Sequence, residues 1–310
     1  MKLSLVTTLY HSERYVKDFY IKSINSINKI THDYELIFVD DGSPDSSLNI
    51  AKDIQIKDSR VTVVELSRNF GHHKAVMTGL SYATGDYVFL IDSDLEEDPE
   101  LLGIFWDELQ SSHADVIYGV QKKRKTKFFE KWMGIIFGKI INYLSGVHIP
   151  ENVVMIRLMT QRYVKNLLLH TERELVFVGI AALTGFKQKQ LEIDKHCKGQ
   201  STYTLRRKIS LAINYVTCLS NKPLVYIFYI GFIITCSALS FMCYLLYYRL
   251  VFNAAIGWTS LITSIWLFGG LIILFLGIIG IYLSKIFIEV KNRPYTIIKE
   301  IYSMKKDVCI

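Results

Sequence analysis

Two pairs of aspartates each follow a short apolar run, Asp40 and Asp41 in VDDGS and Asp92 and Asp94 in IDSDL. Two carboxylates at positions i and i+2 can point the same way and hold one hard cation, Mg²⁺ or Mn²⁺, against a diphosphate. A single Asp-x-Asp is more often a polar turn after a strand. Here the second pair, and the position of both pairs at strand ends, favour a metal- and phosphate-binding site.

The elements that must position these aspartates alternate between strand and helix over the first 120 residues. The patterns predict strands at 3–9, 35–39, 61–66, 87–91 and 115–120, with helices at 13–30 and 73–83. This alternation predicts an α/β domain with a mostly parallel sheet covered by helices. Ligands of such sheets bind beyond the carboxyl ends of the strands, so both aspartate pairs are expected at one edge.

Phosphate binding must use other groups than the common glycine-rich loops. The sequence contains neither GxGxxG nor GxxxxGK[ST], which argues against a dinucleotide dehydrogenase and a P-loop NTPase. Phosphate charge would then be neutralised by a metal ion and nearby cations. Arg68 and Lys74 are the candidates among the basic side chains.

The C-terminal part of the chain is strongly apolar. The protein has 310 residues and a mean hydropathy of +0.24, and the stretches 224–248 and 258–284 contain no charged side chain. A helix of about 25 residues is roughly 37 Å long, enough to cross a bilayer core of about 30 Å. We therefore predict two transmembrane helices. A buried core helix is the alternative, but core helices seldom run so long without a charge.

Basic residues lie before the first predicted span and after the second. The positive-inside rule then predicts a multi-pass protein of the inner (plasma) membrane, with both termini, a domain over 1–204 and a tail over 285–310 in the cytoplasm. Residues 126–145 and 205–222 carry apolar positions at helical spacing beside Lys and Arg. We predict that both form amphipathic helices at the membrane surface, and packing on a soluble core is the alternative.

Composition disfavours two other kinds of site. The five cysteines are scattered, which predicts reduced thiols and neither a disulfide framework nor a zinc site. The net charge of +7 comes largely from basic residues that flank the membrane segments, so no nucleic-acid partner is expected.

Seven short motifs occur in an order that resembles one enzyme family. They are TLYHSE at 8–13, VDDGS at 39–43, SRNFGHHKA at 67–75, GLSYATGD at 79–86, IDSDLEEDPE at 91–100, RLM at 157–159 and GQSTY at 199–203. With the two predicted spans, the chain is similar to family 2 glycosyltransferases that move a sugar from a nucleotide onto polyprenyl phosphate. Bacterial undecaprenyl-phosphate sugar transferases and dolichol-phosphate mannose synthase are of this kind.

The resemblance implies a GT-A (Rossmann-like) fold, a UDP-linked donor, inversion at the sugar, Mg²⁺ or Mn²⁺ as cofactor, membrane lipids as surroundings and a homo-oligomer. It also implies that the product supplies lipid-linked sugar for cell-envelope glycans. The nucleotide-binding residues that it implies are Thr8, Tyr10, Glu13, Asp40, Asp41, Arg68, Lys74 and Asp92. The implied metal ligands are Asp94 and Asp92, the acceptor-phosphate residues are Arg124, Arg157 and Arg206, and the catalytic residues are Asp92, Asp94, Arg124 and Arg157.

One departure from the family concerns acceptor activation. Relatives that transfer glucose often carry Gly-Asp-Phe before Arg-Leu, and Met155 stands at the position of that Asp. A general base must remove a proton from the attacking group. A phosphate monoester has a second pKa of about 6 and is already an oxyanion at neutral pH, so it needs cations more than a base. The basic residues at 122–125 and 206–207 could meet that need or bind anionic lipid, and both readings stay open.

Two rival functions stay open as well. A processive polysaccharide synthase shares the paired carboxylates, but such enzymes usually carry QxxRW. None of the four tryptophans here follows an arginine. A non-catalytic membrane scaffold could keep the fold, although it would have no need for all four aspartates.

Overall fold

The computed structural model describes residues 1–122, 142–144, 152–173, 176–194, 213, 216–218, 220–252 and 258–304. The chain divides into two compact units, one of 1–138, 147–203 and 293–310, and another of 139–146 and 204–292. The first unit thus includes residues beyond 292, which belong to the segment 285–310 predicted as a cytoplasmic tail. Part of this segment forms a strand of the sheet.

The first unit is built on one sheet. Its strands in the described residues are β1 (Leu3–Leu9), β2 (Tyr34–Asp40), β3 (Val61–Leu66), β4 (Tyr87–Leu90), β5 (Val116–Gln121), β6 (Val153–Thr160), β7 (Gln188–Ile193) and β8 (Ile298–Tyr302). The order across the sheet is β7-β5-β6-β4-β1-β2-β3-β8. Every neighbouring pair is parallel except those that involve β6 and β8. The predicted mostly parallel sheet is confirmed.

Helices cover both faces of this sheet. They are α1 (Val16–Asn28), α2 (Ser47–Lys57), α3 (His72–Ser81), α4 (Leu101–Ser112), α5 (Gln161–Leu167) and α6 (Phe177–Leu183). Alternate side chains of β1 separate two apolar cores: Leu3, Leu5 and Leu9 pack with α1, α2 and α4, while Val6 packs with α3, α5 and α6. All four are fully buried. Burial of each such side chain stabilises the fold by about 1.5–3 kcal/mol, so the strand pattern fixes both layers.

The five strands and two helices predicted from the sequence are all present, with small shifts at their ends. The sequence did not predict β6, β7 or β8. β6 carries a buried arginine, and β7 and β8 each contain a lysine and a glutamate within five or six residues, so none of them has the continuous apolar sequence of a buried strand in a parallel sheet.

The second unit contains two long helices, α7 (Lys222–Phe252) and α8 (Trp258–Val290). In the part of the chain that the structure describes, one stretch is long and apolar enough to cross a membrane by length and composition. It is Phe268–Val290, with 23 residues and a mean hydropathy of 2.5. It shares residues 268–284 with the predicted span 258–284. The predicted span 224–248 is helical within α7, and its crossing of a membrane stays a prediction.

Gly79 on α3 tests how closely the helices approach the sheet. A Cβ atom at this position would lie 2.6 Å from Cγ1 of Val6 and 2.9 Å from Cγ2 of Val39. We expect Gly79→Ala to destabilise the first unit by about 1–3 kcal/mol because the added methyl overpacks this contact. The midpoint of thermal unfolding, followed by tryptophan fluorescence, measures the change.

Gly103 on α4 is the matched control, because a Cβ atom there would meet nothing within 4 Å. We expect Gly103→Ala to leave stability unchanged or to raise it by up to about 1 kcal/mol, since alanine favours helix. Equal melting temperatures of the two variants would contradict this account of the α3 contact.

Candidate active site

The carboxyl ends of β1, β2, β3 and β4 meet at one edge of the sheet, as parallel pairing requires. The segments that leave these ends contain the predicted residues of TLYHSE, VDDGS, SRNFG and IDSDL. The structure therefore brings both aspartate pairs to one edge of the first unit. The members of each pair have different surroundings.

Asp41 is used to hold a loop. Its Oδ1 accepts a hydrogen bond from the backbone N–H of Phe70 at 2.7 Å, and its Oδ2 accepts one from Gly71 at 3.1 Å. Its own N–H donates to the carbonyl of Leu9. Burial raises the pKa of Asp41, and the two loop N–H groups oppose that shift. Asp41 thus joins the end of β2 to the segment between β3 and α3.

Gly42 allows this close approach. Its φ of +63° is a left-handed conformation, and a Cβ atom on it would lie 2.6 Å from the carbonyl carbon of Arg68 and from the nitrogen of Asn69. Those are backbone atoms that cannot move aside without shifting the loop. The glycine of VDDGS is therefore required by the packing of one loop against another.

Asp40 retains hydrogen-bonding capacity. It is 2% exposed, and its Oδ2 accepts from the N–H of Ser43 at 3.3 Å. Its Oδ1 is buried and has no hydrogen-bond partner among the described residues. Burial raises the pKa of Asp40 to about 6, the N–H groups of Ser43 and Gly42 oppose the shift, and Glu65 and Asp41 add to it. A buried, unpaired carboxylate oxygen is suited to accept an N–H from a ligand.

The loop after β1 is tied to the start of α2. Asp45 accepts from the hydroxyls of Ser43 and Ser47, both at 2.6 Å, and from the N–H of Glu13 at 3.1 Å. The Glu13 carboxylate in turn accepts from the N–H of Ser46 at 3.1 Å. Glu13, predicted as a nucleotide-binding residue, therefore also satisfies a backbone donor at the helix start. Tyr10, from the same loop, is 48% exposed.

The DxD segment presents two accessible carboxylates. Ser93, between them, is 4% exposed, and its hydroxyl donates to the carbonyl of Thr8 at 2.8 Å. Asp92 and Asp94 are only partly buried. Oδ1 of Asp94 accepts from the N–H of Glu96 at 2.9 Å. Anchoring the central serine leaves both aspartates accessible at the edge of the sheet.

This donor set fits a hard divalent cation that shares its coordination with a ligand. No group of three or more His, Cys, Asp or Glu side chains in the described part of the chain forms a ready metal site. Mg²⁺ commonly binds through one or two carboxylates, substrate phosphates and water. Asp92 and Asp94 could supply those two carboxylates.

His72 is a site residue that the sequence reasoning missed. Its Nδ1 lies 3.0 Å from the hydroxyl of Thr8, and its Nε2 lies 3.5 Å from Oδ1 of Asp92. Burial lowers the pKa of His72, although Asp41 and Asp94 oppose the shift. The available signal was its place directly after the glycine of SRNFG, at the start of a helix that follows a parallel strand.

Arg68 and Lys74 flank this histidine along the chain. Arg68 is exposed, donates to the carbonyl of Asn69 at 3.1 Å and lies over the ring of Phe70 at 4.2 Å. Lys74 is in the first turn of α3 and is partly buried. Both are at the same edge of the sheet as the aspartates, and their binding of phosphate stays a prediction.

Arg157, predicted to face a phosphate, has a buried side chain. This side chain is 1% exposed, donates to the carbonyl of Met155 at 3.3 Å, and lies 4.8 Å from the ring of Phe177. Burial lowers its pKa, and Tyr163 and Tyr118 oppose the shift. Because β6 pairs with β4 in the interior of the sheet, the Arg157 side chain is covered, and its role at a phosphate stays a prediction. Arg124 and Arg206 lie outside the described residues, so their roles stay predictions.

Comparison with known proteins adds independent information. Residues 4–168 match the family model described as Glycosyl transferase family 2. A Mycobacterium tuberculosis protein whose name places it among the glycosyltransferases is 50% identical over 306 residues, covering 97% of this chain and 89% of its own length. The SfII prophage-derived bactoprenol glucosyl transferase of Shigella flexneri is 31% identical over 309 residues, covering 97% of this chain and 98% of that protein. Among solved structures, S. aureus TarS 1-349 in complex with UDP-GlcNAc is similar over 70% of this chain and 66% of that one, at 20% identity and a TM-score of 0.45.

Asp40 allows a test of the electrostatics at this site. Its pKa of about 6 is above the ordinary 3.8, so the ionised carboxylate destabilises the folded state above about pH 6. That penalty disappears as the pH falls below about 4, where both states bind the proton. We expect Asp40→Asn to stabilise the ligand-free protein by about 1–2 kcal/mol at pH 7.5, and to have a smaller effect at pH 5. Melting temperatures at the two pH values measure this difference.

Asp45→Asn is the matched control with the opposite sign. Burial of Asp45 is outweighed by hydrogen bonds from Ser43, Ser47 and Glu13, which lower its pKa to about 2. Its ionised form therefore stabilises the folded state above about pH 4, and removing the charge should lower the melting temperature at pH 7.5. A lower melting temperature for Asp40→Asn than for the unmodified protein at pH 7.5 would show that the buried charge of Asp40 does not destabilise the folded state.

Proposed function

The chain belongs to glycosyl transferase family 2, and we propose that it moves a sugar from a UDP-linked nucleotide sugar to a polyprenyl phosphate such as undecaprenyl phosphate. The first unit has the GT-A α/β fold with a mostly parallel sheet. The observation that carries the proposal is the grouping of Asp40, with its unpaired oxygen, and the accessible Asp92 and Asp94 at one sheet edge. The named acceptor of the Shigella relative supports the lipid.

The donor's base would bind at Asp40. A ligand that donates one N–H to the free Oδ1 would satisfy a buried acceptor that the described protein residues leave open. The imide N–H of uracil is such a donor, which supports a uridine nucleotide. Asp41 and Gly42 would then act indirectly, by holding the Arg68–Gly71 segment against the loop that carries Asp40.

The diphosphate would lie between the aspartate pair and the α3 start. Asp92 and Asp94 would hold Mg²⁺ or Mn²⁺, which when bound neutralises negative charge on the departing UDP. Arg68 and Lys74 would add positive charge from the other side. His72, in contact with Thr8 and Asp92, would fix the direction of the Asp92 carboxylate.

The transfer itself is a substitution at the anomeric carbon. An oxygen of the lipid phosphate forms the new carbon–oxygen bond, and the bond to the β-phosphate oxygen of UDP breaks with its electron pair leaving on UDP. Attack from the face opposite the leaving group inverts the configuration. The attacking phosphate carries no proton that must be removed at neutral pH, so Met155 in place of an aspartate is compatible with this reaction.

A lipid acceptor requires access to the membrane. Residues Phe268–Val290 are long and apolar enough to cross a bilayer, and only 6% of this window is buried. Side chains of α7 such as Phe228, Phe232 and Ile233 are more than half exposed. Exposed apolar surface of this extent is typical of contact with lipid. These features support a membrane protein, and we propose the two-span topology with a cytoplasmic catalytic domain on the charge pattern.

Part of the predicted interfacial helix 126–145 is described and supports that topology. Residues 142–144 are helical, and within the second unit Lys222 donates to the carbonyl of Tyr143 at 2.6 Å. The hydroxyl of Tyr226 donates to that of Tyr143 at 2.7 Å. Lysine and tyrosine at the start of an apolar helix are typical of the headgroup region. The rest of this segment, and residues 205–212, lie outside the described part.

The acceptor is tested with membranes that contain the protein, undecaprenyl phosphate and a panel of nucleotide sugars. We expect one lipid product whose mass equals that of the carrier plus a single sugar, because the acceptor phosphate becomes a diester once it has bonded to one sugar. A polymeric product would favour the processive synthase. Ready transfer to a water-soluble alcohol, with no transfer to long-chain isoprenoid phosphates, would contradict the proposal.

The metal role is tested by Asp94→Asn. We expect transfer to fall by at least about 10²-fold, because the charge that offsets the departing diphosphate is lost, with no change in melting temperature. EDTA should inactivate the unmodified protein, and Mg²⁺ or Mn²⁺ should restore it. Asp98→Asn is the control, since Asp98 forms a surface pair with Lys22 at 3.3 Å and should keep full activity as asparagine. Full activity of Asp94→Asn in EDTA would refute a metal site at this residue.

A further inference from the structure

The C-terminal strand β8 contacts the edge of the sheet at which we propose that the nucleotide sugar binds. The proposed chemistry makes no use of β8. β8 pairs antiparallel with β3, with Glu300 opposite Glu65. Just before the strand, the carbonyl of Ile297 accepts from the N–H of Ser67 at 2.9 Å. The hydroxyl of Thr296 lies 2.8 Å from that of Thr78 on α3. This segment therefore binds the chain on both sides of the loop 68–71.

Glu65 is the polar centre of this contact. It is 5% exposed, and its carboxylate receives Nζ of Lys299 at 2.5 Å, Nζ of Lys52 at 3.3 Å and the hydroxyl of Tyr302 at 2.8 Å. Two of these three donors come from β8. A buried carboxylate needs such partners, and removal of one leaves charge that is not compensated. The C-terminal strand thus supplies much of the compensation for a charge inside the sheet.

Glu65 is adjacent to Asp40. The two residues are partners in the parallel pairing of β2 and β3, so their side chains emerge on the same face. Glu65 raises the pKa of Asp40 through the repulsion between the two charges. The hydrogen bond to Glu65 and the charge of Glu65 raise the pKa of Lys299, and the charges of Glu300 and Asp40 add to the shift. The ammonium group of Lys299 is therefore linked to Asp40 through Glu65, which it contacts and which pairs with Asp40 across the two strands.

We propose that β8 is part of the nucleotide site, with Lys299 as a positioning residue that acts through Glu65 on Asp40 and on the loop 68–71. The inference rests on the proposed function, in which Asp40 binds the donor's base. Lys299 itself touches neither donor nor acceptor. It keeps the Glu65 carboxylate compensated, so that Asp40 can stay ionised and the ends of β2 and β3 keep their spacing.

The test uses four variants of the full-length protein in detergent. For each variant, calorimetry measures the Kd for UDP, and steady-state kinetics measures KM and kcat for the nucleotide sugar. We expect Lys299→Met to raise the Kd for UDP about three- to tenfold and to raise KM with kcat nearly unchanged, since one partner of a buried charge is lost. Lys299→Arg should restore binding because it keeps the charge. Lys189→Met is the matched control. Lys189 lies on β7, at the other edge of the sheet, and forms an ion pair with Glu108.

The fourth variant separates electrostatics from simple loss of packing. Glu65→Gln combined with Lys299→Met removes both charges while keeping an acceptor for Tyr302, and we expect it to bind UDP about as well as the unmodified protein. UDP binding by Lys299→Met that equals binding by Lys189→Met would overturn the proposal. A double variant that is as weak as Lys299→Met would also overturn it, because the damage would then not come from the Glu65 charge.

Hydrogen exchange distinguishes failure of this inference from failure of the proposed function. The amides of Phe70 and Gly71 are bonded to Asp41, so their exchange reports on the loop without any ligand. We expect faster exchange over 67–71 in Lys299→Met than in Lys189→Met. An unmodified protein that binds no UDP would refute the donor assignment, and unchanged exchange at these amides would refute the positioning role of β8.

Discussion

The geometry of the sheet edge that carries the four aspartates depends on the hydrogen bonds from Phe70 and Gly71 to the Asp41 carboxylate. They join the end of β2 to the loop that leads into α3, and the absence of a side chain on Gly42 lets the two segments meet. The start of α3 then places His72 between Thr8 and Asp92. One buried carboxylate thus relates three strand ends to each other, which gives the site its shape before any ligand binds.

The four aspartates differ in burial and in their hydrogen-bond partners. Asp41 is saturated by backbone donors, whereas Asp40 is just as buried and keeps an oxygen with no partner among the described residues. Asp92 and Asp94 stay partly accessible because Ser93, between them, is anchored to β1. A buried acceptor without a donor reduces stability, and proteins keep such groups where a ligand completes them. The arrangement therefore separates the proposed base-binding position at Asp40 from the proposed phosphate-binding position at Asp92 and Asp94 along one edge.

The sheet edge beside β3 is closed by β8, a strand of five residues that carries the charged side chains Lys299 and Glu300. Such a strand protects an edge from pairing with other chains. Here it also brings Lys299 and Tyr302 to Glu65, so one strand serves both stability and the electrostatics of a neighbouring site. Arg157, by contrast, makes its contacts within the first unit. It packs against Phe177 and donates to backbone carbonyls of its own strand.

The sequence by itself determined the α/β class, five of the strands, the meeting of the two aspartate pairs at one edge and the family. These follow from local apolar periodicity and from short motifs, which are properties of neighbouring residues. It could not distinguish the surroundings of Asp40 from those of Asp41, predict the burial of Arg157, or show that His72 contacts Asp92 and that β8 pairs with β3. Those outcomes depend on which distant segments pack together: residue 41 with 70, 65 with 299, and 157 with 177. Only the tertiary structure decides them, because burial and hydrogen-bond partners are set by long-range contacts that no local pattern records.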